Sequence, residues 1–323
     1  MPAPEFWARP GLAAQLLEPF AWAHEAAGAA RRAWVRPVRV GIPVLCVGNL
    51  VAGGAGKTPV VLALARLLAA RGAKPHILSR GYGGAARGPL LVDPAHHSAD
   101  EVGDEPLLLA REAPTWIARD RVAGAQRAQE AGAGVIVMDD GFQNPRLVKD
   151  LSLLVVDGVY GVGNGRVMPA GPLRESVPSA LARADAVVLM GEDEAGIAPR
   201  LGAKPVLRAR LAPVAATVPQ GPVLAFAGIG RPEKFFRTLE ESGAALIARR
   251  SFPDHHRFAE AELARLESDA AKAGARVVTT AKDAVRLAPR WRERVMVLEV
   301  EVEWPDEAAL LALLARAVDA AHG

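Results

Sequence analysis

The chain has 323 residues, half of them hydrophobic, with 39 Lys and Arg against 36 Asp and Glu and a formal net charge of +3. That length suits two domains of ordinary size, each able to bury a core, and the balance of charge and hydrophobicity excludes both a disordered chain and a polyanion-coating protein. No run of Lys and Arg interleaved with aromatics is present, which excludes a nucleic-acid partner, and the single Cys46 cannot form a disulfide within the chain and points to a reducing compartment.

At the N-terminus Phe6, Trp7, Leu12, Leu16, Leu17, Phe20 and Trp22 crowd around Pro10 and Pro19, and Arg31, Arg32, Trp34, Arg36 and Arg39 follow. An amphipathic helix trailed by cations and tryptophan suits a membrane interface, and equally suits packing on its own domain. No stretch reaches the ~18 to 20 uninterrupted apolar residues that cross a bilayer, and no secretory leader pattern is present. The chain is therefore expected to be soluble or peripheral.

An apolar strand over 43–47 then runs into Gly53-Gly54-Ala55-Gly56-Lys57-Thr58-Pro59, and apolar residues at helical spacing follow from Thr58 to Arg71. In a strand–loop–helix setting, glycines let backbone N–H groups close on phosphate oxygens, Lys57 reaches the β- and γ-oxygens, and the Thr58 hydroxyl can ligate Mg²⁺. Val51 stands where the general consensus has glycine, so the entry to the loop must be built differently.

Beyond the loop the pattern alternates: strand 75–79, helix 105–112, strand 115–118, helix 122–131, then strands 135–138, 151–156 and 186–190. Such alternation predicts a mostly parallel sheet covered on both faces, with ligand-binding loops at the carboxyl ends of its strands. A second α/β run follows, with strand 223–227, helix 233–242, strand 245–249, helix 260–273, strands 277–280 and 295–300, and helix 306–321. Pro213, Pro219, Gly221 and Pro222 mark the boundary, giving domains 1–213 and 214–323.

Six further segments carry chemistry. Strand 135–138 ends in Asp139-Asp140-Gly141-Phe142-Gln143, the form of a Walker B element whose carboxylates can hold Mg²⁺ or orient a ligand. Val102-Gly103-Asp104-Glu105-Pro106 places a carboxylate at a helix start, where capping is the plain reading. Pro253-Asp254-His255-His256 lies in a loop, and no cysteine accompanies its histidines, so zinc is not expected; general-base work and an ordinary surface loop both fit. Arg80 and Tyr82, Arg119, and Arg174 with Glu175 follow strands or turns, and each suits either an anionic ligand or a solvated turn.

In their order and spacing, Val47-Gly48-Asn49 with the glycine loop, Ser79-Arg80-Gly81-Tyr82-Gly83, Val102-Gly103-Asp104-Glu105-Pro106, Asp139-Asp140-Gly141-Phe142-Gln143, Gly171-Pro172-Leu173-Arg174-Glu175, Phe252-Pro253-Asp254-His255-His256 and Thr279-Thr280-Ala281-Lys282-Asp283-Ala284 resemble the tetraacyldisaccharide 4′-kinase family across nearly the whole chain. Val51 in the loop is also how that family looks. The resemblance implies a P-loop NTPase-like α/β domain and a second, smaller α/β domain with the active site between them, and an N-terminal amphipathic helix at the membrane. It implies ATP and Mg²⁺ as cofactors and an acylated glucosamine disaccharide 1-phosphate as substrate, with a monomer at the cytoplasmic face of the inner membrane.

Carried over by residue, the resemblance implies Asp104 as the base for the 4′-hydroxyl and His255 as its partner. Lys57, Asp139 and Asp140 keep catalytic roles, with Thr58, Asp139 and Asp140 on the metal. Gly53, Gly54, Ala55, Gly56, Lys57, Thr58, Pro59 and Gln143 serve the nucleotide, and Arg80, Tyr82, Arg119, Arg174 and Glu175 are candidates for the substrate. Two other readings compete: a P-loop kinase of a soluble small molecule, and a P-loop ATPase of the partitioning or metal-insertion type.

Overall fold

A computed structural model describes residues 4–9 and 11–319. Pro10, and Ala320 and Ala321 of the helix expected over 306–321, lie outside the described residues.

Thirteen strands build two sheets among the described residues: β1 (Val44–Asn49), β2 (Pro75–Ser79), β3 (Leu90–Leu91), β4 (Thr115–Ile117), β5 (Val135–Asp139), β6 (Leu151–Asp157), β7 (Ala186–Met190), β8 (Val206–Pro213), β9 (Pro222–Ala227), β10 (Ala245–Ser251), β11 (Arg276–Thr280), β12 (Met296–Leu298) and β13 (Val300–Glu303). Nine form one sheet in the order β13-β8-β7-β6-β1-β5-β2-β4-β3, and four form another in the order β10-β9-β11-β12. The larger sheet is parallel except at its edges, where β3 pairs antiparallel with β4 and β13 antiparallel with β8. Its central strands are buried along their whole length, since helices cover both faces.

The glycine-rich loop joins the central β1 to the helix Lys57–Ala70, which buries Val60, Val61, Leu64, Ala65 and Leu68 against the sheet. Parallel pairing of β1 with β5, Val47 opposite Asp139, brings the Asp139-Asp140 turn to the edge that carries the loop. Close approach of that turn depends on glycine at 48, where a Cβ would lie 2.3 Å from the Phe142 Cβ. The same holds at Gly141, where a Cβ would meet the Met138 sulfur at 1.6 Å.

The smaller sheet has its own cores, one around Phe235, Phe236 and Leu239 and one around Leu263, Leu266 and Trp291. The segment expected to belong wholly to the smaller unit, 214–323, is divided between the sheets. The strand expected over 295–300 is in fact two: β12 pairs with β11, while β13 crosses back to pair with β8. The helix Glu307–Asp319 then buries Leu310, Leu314 and Ala317 in the core of the larger sheet. Short apolar runs separated by one residue read as a single strand in sequence, and only the pairing distinguishes them.

At the N-terminus two helices, Leu12–Leu16 and Glu18–Trp34, lie on the larger unit. Polar contacts hold the second of them and the turn that precedes both: the Ser176 N–H donates to Glu25 (3.1 Å) and Arg32 to the Ser179 hydroxyl (3.2 Å), and the Trp7 indole donates to the Pro169 carbonyl (3.1 Å). Ala14 and Ala21 face inward, whereas Leu12, Leu16, Phe20, Trp22 and Trp34 are 65 to 88 % exposed.

Candidate active site

The loop after β1 is shaped from within by the last residue of the strand. The Asn49 side-chain amide donates to the carbonyls of Val51 (2.7 Å) and Gly53 (3.2 Å), and its oxygen accepts from the Lys57 ammonium (3.1 Å). From outside, the Ala52 N–H donates to the Pro172 carbonyl (2.8 Å), and buried Val51 bridges to Leu173. This pairing replaces the missing glycine, because a neighbouring segment sets the backbone at Val51. Gly53 and Gly56 take φ of +125° and +86°, which L side chains rarely adopt. Thr58 and Pro59 follow Lys57 in the first turn of the helix, whose N-terminus carries the positive end of the helix dipole.

Beside the loop, Asp139 is buried and accepts from the Ser79 hydroxyl at 3.3 Å through Oδ2, while its Oδ1 has no hydrogen-bond partner. Burial, with Glu105 and Asp140 adding to it, pushes this carboxyl up to about 7 against the opposing pull of Lys57 and Arg121. An orphaned carboxylate oxygen in a buried site, on the strand next to a Gly-Lys-Thr loop, fits a hard divalent cation. No group of three or more His, Cys, Asp or Glu gathers around a metal position among the described residues. Mg²⁺ does not need one, since it keeps waters and substrate oxygens as ligands.

Asp140 is differently placed. Its backbone sits at φ +49°, and its carboxylate lies 3.2 Å from Arg174 and 3.7 Å from Lys57. Burial pushes this carboxyl up, but Lys57 and Arg174 outweigh it and hold it below the usual carboxylate value. Gln143 donates to the Asn49 carbonyl (3.2 Å) and to Glu175 (3.3 Å), so it braces the base of the loop. Arg121 is buried, its Nε unpartnered, and burial pulls its pKa down to about 10 with Asp139 opposing.

A second cluster joins the two units. Asp104 opens the helix Asp104–Leu109 after Gly103, where φ is +91° and a Cβ would meet the Tyr82 carbonyl at 2.4 Å. Its Oδ2 lies 2.7 Å from His255 Nδ1, which comes from the loop after β10, and 2.7 Å from Arg286 Nε, which follows β11. Burial pushes the Asp104 carboxyl up, yet the His255 hydrogen bond and the Arg286 charge together bring it below the usual value. Lys282 stands 3.4 Å from His255 Nε2. His256 turns the other way, its Nε2–H donating to Glu262 at 2.9 Å and its ring stacking on Phe252.

Arg286 was not singled out by the sequence reading. Its side chain is 4 % exposed, and its Nη1 donates to the Gly228 carbonyl (3.0 Å) and to Asp283 (3.0 Å). Asp283 in turn accepts from the Gly228 N–H (3.1 Å) and the Thr280 hydroxyl (2.6 Å). The signal available was the spacing Asp283-x-x-Arg286, which places the two charges on one face of a helical turn.

Of the proposed substrate contacts, Arg80, Tyr82 and Arg119 are exposed just past the carboxyl ends of β2 and β4. Arg174 is half-buried on Asp140. Glu175 departs from expectation: it is buried and takes donors from Ser179 (3.0 Å), Gln143 (3.3 Å) and Arg183, with Arg32 at 3.7 Å. Its Oε2 accepts from Ser179 and Arg183 and its Oε1 from Gln143, so the buried carboxylate braces the N-terminal helix and the loop base.

A family model for tetraacyldisaccharide-1-P 4'-kinase matches residues 13–319. The tetraacyldisaccharide 4'-kinase of Rhodospirillum centenum is 58% identical over 98% of this chain and 96% of its own length, and that of Rhodospirillum rubrum is 53% identical over 98% of each. Among solved structures, "apo" form LpxK from Aquifex aeolicus in complex with ATP superposes with a TM-score of 0.77 at 29% identity, covering 94% of this chain and 99% of that one.

Proposed function

The chain belongs to the tetraacyldisaccharide-1-P 4'-kinase family, and from that premise we propose how its side chains divide the reaction. It is an ATP-dependent kinase that transfers the γ-phosphate to the 4′-hydroxyl of a tetraacyldisaccharide 1-phosphate, a step of lipid A biosynthesis. The observation that carries the assignment is the contact of Asp104 with His255 at 2.7 Å across the two units. A carboxylate kept ionised, partly buried and joined to an imidazole with a solvent-facing edge has the properties of a general base.

In the proposed reaction the 4′-oxygen forms a bond to the γ-phosphorus as the bond from that phosphorus to the β,γ-bridging oxygen breaks, and ADP leaves. Asp104 accepts the hydroxyl proton, and His255 holds the carboxylate and passes the proton outward. Lys57 and the loop N–H groups hold the triphosphate, so most of the rate enhancement is positioning and charge neutralisation. Thr58 and Asp139 would hold Mg²⁺, while Arg174 and Lys57 fix the Asp140 carboxylate at the same turn; such an ion would supply neutralisation of phosphate charge. Arg80, Tyr82 and Arg119 meet the sugar and phosphate of the acceptor.

The two chain crossings between the sheets leave from the antiparallel pair β8 and β13 and meet where the Val214 N–H donates to the Glu299 carbonyl at 2.9 Å, which suits a hinge for closure. No helix among the described residues is long and apolar enough to cross a membrane. The exposed apolar face at Leu12, Leu16, Phe20 and Trp22 supports a peripheral position on the cytoplasmic face of the inner membrane, where acyl chains of the acceptor are presented. The test is transfer of labelled γ-phosphate from ATP to purified tetraacyldisaccharide 1-phosphate in micelles with Mg²⁺. Labelled lipid formed by the wild type and lost in Lys57→Ala and Asp104→Ala supports the assignment, whereas ATP hydrolysis without labelled lipid overturns it.

A further inference from the structure

The smaller unit touches the larger one at a second place, unrelated to Asp104. After β9 the chain turns through Gly228-Ile229-Gly230-Arg231 into the helix Pro232–Glu241. Arg231 Nη2 donates to the carbonyl of Gly54 in the phosphate loop at 2.7 Å and lies 3.0 Å from Asp157 Oδ2. Asp157 ends β6, the strand next to β1, so it stands at the same sheet edge as the loop. It is buried, and Lys234 also reaches it at 2.5 Å. Two cations against one carboxylate leave a net positive charge beside the loop.

A role limited to balancing Asp157 does not account for the geometry. Lys234 already neutralises that carboxylate, and Arg231 spends the same nitrogen on the loop carbonyl and on Asp157, leaving Nε and Nη1 without a hydrogen bond among the described residues while the guanidinium lies 5.6 Å from the centre of the Tyr160 ring. Its side chain remains about a third exposed, at 36 %. A guanidinium fork held against the tip of a triphosphate cradle, with donors to spare, matches the planar donor geometry that phosphate oxygens accept.

The same turn is locked to the loop that carries His255. The His255 N–H donates to the Gly228 carbonyl at 3.1 Å. A Cβ on Gly228 would lie 3.2 Å from the Pro253 carbonyl and the His256 Cβ, and one on Gly230 would lie 3.3 Å from the Asp254 carboxylate. Close packing of this kind makes residues 228–231 and 253–256 shift together.

We propose that Arg231 is a phosphate-reading residue of the smaller unit: it donates to the terminal phosphates of the bound nucleoside triphosphate and thereby stabilises the arrangement in which His255 sits on Asp104. The inference rests on the phosphate-loop assignment above and adds the residue through which nucleotide occupancy is felt by the base. Filling the loop rewards the closed arrangement, so ATP and the Asp104–His255 contact favour each other.

The experiment compares Arg231→Ala, Arg231→Lys and Lys234→Ala in the full chain by steady-state kinetics with ATP and lipid varied separately, and by proteolysis of the 214–221 connection with and without ATP. The expected result is a KM for ATP raised about tenfold or more in Arg231→Ala with the KM for lipid little changed. Arg231→Lys should recover part of this, since it keeps charge but not the fork. ATP should protect the connection in the wild type and not in Arg231→Ala, while Lys234→Ala should resemble the wild type in both assays. A wild-type KM for ATP with intact protection in Arg231→Ala overturns the proposal, as does an equal effect of Lys234→Ala, which would reduce Arg231 to general electrostatics. Equal melting temperatures of the nucleotide-free variants exclude misfolding, and failure of the wild type itself to bind ATP would instead sink the phosphate-loop assignment.

Discussion

Arg286 Nε and His255 Nδ1 meet the same oxygen of Asp104, each at 2.7 Å, although both come from the smaller unit and Asp104 from the larger. The shared oxygen means that docking of the smaller unit sets both the orientation of the carboxylate and its charge. Burial disfavours the ionised form, and the two partners more than reverse that. Asp104 is thus ionised well below neutral pH, and the step that its own protonation adds to the acid limb of kcat/KM should lie under the ordinary carboxylate value of about 4, beneath the step set by Asp139.

Removing Arg286 takes away one of the two opposing contributions, so the Asp104 pKa rises and the acid limb moves to higher pH. Arg286→Ala should also lower kcat by roughly 10–100-fold through misplacement of the base. Arg286→Lys should restore part of the limb position by keeping the charge. A pH–rate profile of both variants, read with their melting temperatures, checks this; an unmoved acid limb in both would assign Arg286 to packing alone.

The Asp104–His255 contact predicts strong non-additivity. Each single alanine variant should lose on the order of 10²–10⁴-fold in kcat, the usual scale of positioned proton transfer, and the double variant little more. Losses that multiply would mean that the two residues act separately.

Asp139 Oδ1 is buried with no donor of its own, which predicts a cation-dependent role. Asp139→Asn preserves the shape of the side chain and removes the charge. Turnover should fall by about 10²–10³-fold, with the Mg²⁺ titration midpoint moved to higher concentration. A lowered rate with an unchanged Mg²⁺ midpoint would separate Asp139 from the metal.

Glu175 predicts a defect of stability. Its carboxylate is buried against Arg183, Arg32, Ser179 and Gln143, and Glu175→Ala would leave those donors uncompensated. A loss of about 3–5 kcal/mol is the usual scale for breaking a buried ion pair by removing one partner. Chemical denaturation measures it, and a substrate KM that rises with no change in stability would restore Glu175 as a ligand contact.

The apolar side chains on the outer face of the N-terminal helices hold nothing together in this fold, so exchanging Leu16, Phe20 and Trp22 for serine should leave the melting temperature unchanged. Burial of one such side chain contributes roughly 1.5–3 kcal/mol, so partition to anionic vesicles should drop by far more than tenfold. Equal vesicle binding by the variant and the wild type would remove this face from the membrane.

The sequence by itself determined the elements whose pattern is local. The strand–glycine loop–helix unit at 44–70, the apolar strand ending in Asp139 and the alternation that gives a parallel sheet are all legible, because periodicity and glycine placement are properties of neighbouring residues. The pairing of Asp104 with His255 was legible only through family resemblance, since no spacing in the chain signals a contact between residues 151 apart.

Only the tertiary structure decided the rest. It returned β13 and the last helix to the larger sheet, because strand pairing between residues as far as 93 apart leaves no trace in a short apolar run. It buried Glu175 as a brace, showed Val51 set by Leu173 in place of a glycine, and brought Arg286 and Arg231 to two separate points on the larger unit. Arginines look alike in sequence; which carboxylate, carbonyl or phosphate each one meets depends on how the two sheets dock, and that is fixed by long-range packing rather than by local pattern.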